Sequence, residues 1–145
     1  MSRTTLLGVA ALIGATGFAA VETGGRMMGV RTAMTSSLWL DAAAFTLTAV
    51  LLTALYASAW ERGGGVRRIS AGVVYVALFP FLAALLAGLA ELTVLGLWGF
   101  SGEVRTALIA GPLNLLATFT IELGVVALPV GILSVGVLMY LARRR

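Results

Sequence analysis

From Thr5 to Val21 the chain carries no charged residue, and three comparable runs follow at 42–60, 69–90 and 123–142. A helix needs roughly 20 mostly apolar residues to cross a hydrocarbon layer about 30 Å thick. Helices suit that layer because they satisfy every backbone N–H and C=O internally. The runs predict four spans, near 5–22, 38–60, 70–95 and 118–142, in one transmembrane domain covering 1–145. Composition closes off the soluble alternative. Of 145 residues, 60% are apolar and 11% charged, and the mean hydropathy is +1.04. Soluble domains carry about a quarter charged residues, and so small a globule has too much surface to hide this much apolar material.

Arginine placement sets the expected topology. With the N-terminus inside, four crossings put Arg3, Arg62, Arg67, Arg68, Arg143, Arg144 and Arg145 on the inner side and Arg26, Arg31 and Arg105 on the outer. Positively charged loops stay cytoplasmic. The expected fold is therefore all-α: an integral membrane four-helix bundle, N-in and C-in, multi-pass in the cell (plasma) membrane. The first span is too long for a signal-peptide core and lacks a cleavage box, so it is read as retained. "ERGGGVRR", 61–68, reads as a tight inner turn, because three glycines continue a helix only at a cost. "ETGGRMMGVRTAMTSS", 22–37, reads as a longer amphipathic outer loop, and Trp39 and Trp60 as an aromatic belt around the second span.

The missing residue types exclude chemistry. Without Cys or His there is no disulfide, thiol redox couple, iron–sulfur ligand or imidazole base. "GGRMMGVR" is not a P-loop, since no Lys-Ser/Thr follows it, and no serine sits in a nucleophile elbow. No cofactor and no metal site is expected. The arginines flank apolar spans, so they face headgroups and not nucleic acid.

Carboxylates in apolar runs are the sharpest functional signal, because intramembrane charge is costly and tends to be partnered or functional. At 1.5 Å per helical residue, Glu22, Asp41, Glu91 and Glu122 stand about 28–34 Å above the inner arginines, a common level near the outer edge. One reading makes an ion or proton site from Glu91, Glu122, Asp41 and Asn114. Asn114, Thr118 and Glu122, at i, i+4 and i+8, would form one polar stripe. The other reading is structural, with acids such as Glu22 paired to Arg26, Arg31 or Arg105.

The stretch between Glu91 and Glu122 is too long for two upright helices. An apolar or re-entrant outer segment, about 96–117, is expected between helices three and four, broken near Gly96/Gly99 and at Gly111-Pro112. Its pieces would lie on the outer face or fold back toward the acids. Ala11, Ala15 and Ala19, and likewise Ala84 and Gly88, suggest close helix packing inside the bundle. Pro80 and Pro129 should bend or loosen their helices.

These features favour a small channel- or transporter-like protein with an intramembrane carboxylate site, a non-enzyme working as a homo-oligomer among membrane lipids. The alternative is a non-catalytic structural or assembly subunit docking on partner membrane subunits. A lipid-modifying enzyme ranks third, since no residue specifically supports it.

Overall fold

The computed structural model describes residues 2–30, 34–35, 37–114, 117 and 124–144. Among them there is no strand. Four helices are long and apolar enough to cross a membrane: α1 (Arg3–Met27), α2 (Leu38–Arg62), α3 (Gly65–Leu95) and, after the short α4 (Ser101–Arg105), α5 (Gly124–Arg143). Ser2 caps α1, its Oγ accepting from the Thr5 N–H at 3.1 Å.

The helices bury little of themselves in one another. At most 39% of the residues in any span's most apolar stretch are buried. Leu12, Leu55, Val125 and Leu133 are each at least 65% exposed. Outward leucine and valine along whole helices leave lipid as the fitting surround.

What is buried identifies which helix ends lie together. Leu6 from the start of α1, Trp60 from the end of α2, Ala71 from the start of α3, and Leu138 and Ala142 from the end of α5 share one core. Sequential helices therefore alternate in direction, and Arg3, Arg62, Arg67, Arg68, Arg143 and Arg144 gather at one end. The turn between α2 and α3 is only Gly63-Gly64. A side chain at Gly63 would collide with the Ala59 carbonyl oxygen, which accepts the Gly63 N–H at 2.9 Å.

An aromatic column fills the middle. Phe18 meets Phe45 edge-on with centroids 5.3 Å apart, Phe45 meets Phe79 at 5.2 Å, and Phe79 stacks on Tyr75, which leans on Trp60 at 5.6 Å. Such pairs add about 0.5–1.5 kcal/mol each beyond their burial.

Several local expectations need correction. Trp39 is exposed, as a belt residue would be, but Trp60 is fully buried, because Tyr56 and Tyr75 offer it aromatic partners inside. The first linker is shorter than 22–37, since α1 continues to Met27 and carries Glu22 and Arg26 one turn apart on helix. The Ala11/Ala15/Ala19 stripe does not make the close approach: Ala15 and Ala19 are exposed. The neighbouring register does, with Gly14 buried against Thr46 and Ala49 of α2. Pro80 and Pro129 stand inside α3 and α5, where the sequence placed them, and need no such correction.

Candidate functional site

At 31 residues, α3 is about 46 Å long, more than a hydrocarbon layer needs. It stops at Gly96, which takes the left-handed conformation (φ 65°) that a glycine adopts without strain, its N–H donating to the Leu92 and Thr93 carbonyls. The chain reverses through a 3₁₀ turn, Leu97–Gly99, with the Trp98 Nε1–H donating to Thr93 Oγ1 at 3.2 Å. It then runs back through α4 and a π-helical turn, Thr106–Ala110.

Helical geometry continues over 111–114, so Gly111-Pro112 does not break the segment as expected. Pro112 has no N–H to give the turn before it. The ladder adjusts by widening instead, with the Gly111 N–H reaching the Thr106 carbonyl. The returning segment then packs on α3 where α3 has no side chain. A Cβ on Gly88 would lie 2.7 Å from the Ala107 carbonyl oxygen.

Between α3 and this segment lies a partly open cleft of about 720 Å³. Its polar lining comes from Glu91 on α3, Glu103 on α4, Thr106 on the π turn and Asn114, and Met34 closes one side. Glu91 is half-buried, while Glu103 and Asn114 are exposed. Among the described residues, no arginine lines the cleft. Its field favours positive charge. No group of three carboxylates among the described residues could hold a metal ion.

Asp41 lies beside this cleft but does not line it. It is fully buried, with Oδ2 accepting the Met34 N–H at 3.1 Å and Oδ1 accepting the Thr35 hydroxyl at 2.8 Å. Thr35 Oγ1 in turn accepts the Ser37 N–H at 3.1 Å. A carboxylate in the first turn of a helix also meets the positive end of its dipole. Asp41 thereby pins the approach to α2, and with it Met34, the residue shared with the cleft. Glu91 is near enough for the two charges to interact.

Of the expected site residues, the structure thus brings Glu91 and Asn114 into one cleft with Asp41 behind them. Glu122, Thr118 and Arg31 lie outside the described residues. Glu22 is paired with Arg26, Oε1 to Nε 2.7 Å, along α1, and Arg105 ends α4. Glu103 and Thr106 escaped the sequence reading, because their distance from Glu91 is visible only after the chain turns back at Gly96. The chain matches no protein-family model, no curated protein and no solved structure.

Proposed function

We propose that this is a small channel- or transporter-like membrane protein whose cleft takes up a proton or a small cation on its way across the lipid. The observation that carries the reading is the acidic wall: Glu91 and Glu103 line one opening, and Asn114 adds an amide. Two carboxylates with water suit a hydrated or ammonium-type cation, or a proton, better than they suit a neutral solute. Glu122, eight residues beyond Asn114 in the sequence, belongs to the same proposal.

The arginine end faces the cytoplasm of a plasma membrane and the cleft faces outward, in line with the charge bias of cytoplasmic loops. Among the described residues the aromatic column packs the space between α1, α2 and α3. Passage then needs a second copy beside the first, so the working form is a homo-oligomer. The same packing favours the rival reading, a non-catalytic subunit of a larger membrane complex.

Ion flux into proteoliposomes separates the two. Glu91→Gln should cut proton- or cation-linked flux at least tenfold and Glu103→Gln less, while Glu61→Gln, at the arginine end, should leave it alone. Wild-type flux in the Glu91→Gln protein, together with a stoichiometric partner retained from native membranes, would hand the case to the subunit reading.

A further inference from the structure

We propose that the start of α3 is a binding site for the headgroup of an anionic phospholipid. The first turn of this helix is built against the usual rule. Its N-cap is Gly64, which has no side chain to accept an N–H, and no acid lies in the first turn. The N–H groups of residues 65–67 have no intrahelical acceptor. Acids normally stand at this positive end of a helix, yet here it carries Arg67 and Arg68. Orphan donors and guanidinium groups together call for an anion.

The surroundings supply more positive charge and room. Arg3, Arg62, Arg143 and Arg144 share this end, where Glu61 is the one acid among the described residues. Arg144 is held over the Tyr140 ring at 4.5 Å. The Arg68 Nε is shielded from solvent and has no hydrogen-bond partner among the described residues. The positions where Gly64 and Gly65 would carry a Cβ are open, with nothing within 4 Å.

A phosphate-bearing anion fits this chemistry, and the flank identifies it as a lipid. Val66, Ile69 and Val73 are 82%, 65% and 63% exposed. Spaced three and four apart, they form one apolar face running from the arginines toward the middle of the span. A headgroup on Arg67 and Arg68 would lay its acyl chain along that face, whereas a free phosphate would leave the face unused. The site rests on the membrane-spanning reading of the chain and is independent of the cleft.

The test is native mass spectrometry of detergent-purified protein carrying phosphatidylglycerol or phosphatidylcholine. Phosphatidylglycerol should stay bound under conditions that strip phosphatidylcholine. Arg67→Gln/Arg68→Gln should weaken its retention roughly tenfold to thirtyfold, and Arg105→Gln, at the other end, should not. Ile69→Ser should weaken the lipid while leaving binding of inorganic phosphate unchanged. Equal retention of the two lipids by the wild-type chain overturns the proposal even where the double variant fails to fold. Full displacement of phosphatidylglycerol by millimolar inorganic phosphate also overturns it, in favour of a plain anion site. Carbonate extraction checks the membrane reading separately, since a chain released by carbonate would not be spanning lipid.

Discussion

Gly88 and Ala107 meet without a side chain between them: a Cβ on Gly88 would fall 2.7 Å from the Ala107 carbonyl oxygen and 3.3 Å from the Ala107 Cβ. That approach seats the returning segment on α3 and gives the cleft its far wall. Backbone atoms cannot swing aside as a flexible side-chain end can. Gly88→Ala should therefore push the segment off α3 and destabilise the protein by about 1–3 kcal/mol, the usual range for overpacking. Gly88→Leu should do worse. Thermal unfolding in detergent reads the loss, and a cysteine placed at Ala107 should become more reactive in the variant. Unchanged melting and reactivity in Gly88→Leu would mean the contact does not hold the segment.

Asp41 and Thr35 make a second prediction. The carboxylate is buried with a backbone N–H and a hydroxyl on its two oxygens, so removing one partner strands polar atoms away from water. Thr35→Val should cost about 1–3 kcal/mol, because it leaves both Asp41 Oδ1 and the Ser37 N–H short of a partner. Asp41→Ala should cost as much again by freeing the 34–37 approach. The double variant Thr35→Val/Asp41→Ala should fall well short of the sum, since both changes break one network. Strict additivity in thermal melts would contradict that coupling. If Asp41 served only the ion pathway, Thr35→Val would change flux and leave stability alone.

Topology is open to direct chemistry, because the sequence contains no cysteine. Single cysteines at Ser2 and Arg144 should react with a membrane-impermeant maleimide from the same face, and one at Ser101 from the opposite face. In right-side-out vesicles only the Ser101 position should label before permeabilisation. Labelling of Ser2 and Arg144 from opposite faces would break the shared core of Leu6, Trp60, Ala71 and Ala142 as the organising feature of the fold.

The four long apolar helices were legible because an uncharged run of that length has few alternatives to a helix fit to span lipid, and the grouping of arginines at one end follows once those helices are counted. The stop at Gly96 was legible for the same local reason, that a left-handed residue is cheapest as glycine. Less visible was anything that depends on which face of an apolar helix turns inward. In a soluble helix the polar face marks the outside. Here lipid and core are both apolar, so Trp60 could be placed as belt or core with equal ease, and it is core. Glu103 shows the same limit at longer range: nothing local to "SGEVR" points at Glu91, and their shared cleft exists only through the Gly88–Ala107 contact.

Helix register on α1 gives the last prediction, where two small-residue stripes compete one position apart. Ala11, Ala15 and Ala19 repeat at four-residue spacing, and so do Ala10 and Gly14. The structure buries the second set: Ala10 is fully buried, and a Cβ on Gly14 would lie 2.8 Å from the Thr46 Cα and 2.9 Å from the Ala49 Cβ. Gly14→Val must therefore force α1 and α2 apart, at a cost of about 1–3 kcal/mol or more. Ala15→Val places the same final side chain one residue later, on an exposed position, and should stay within about 0.5 kcal/mol of the parent. Lipid tails accept the extra methyl groups as readily as a neighbouring leucine would, so the main difference between the two variants is what the new valine touches. A melting comparison in one detergent decides the register. Should Ala15→Val prove the damaging change, α1 would present its other stripe to α2, and the seating of Phe18 on Phe45 would go with it.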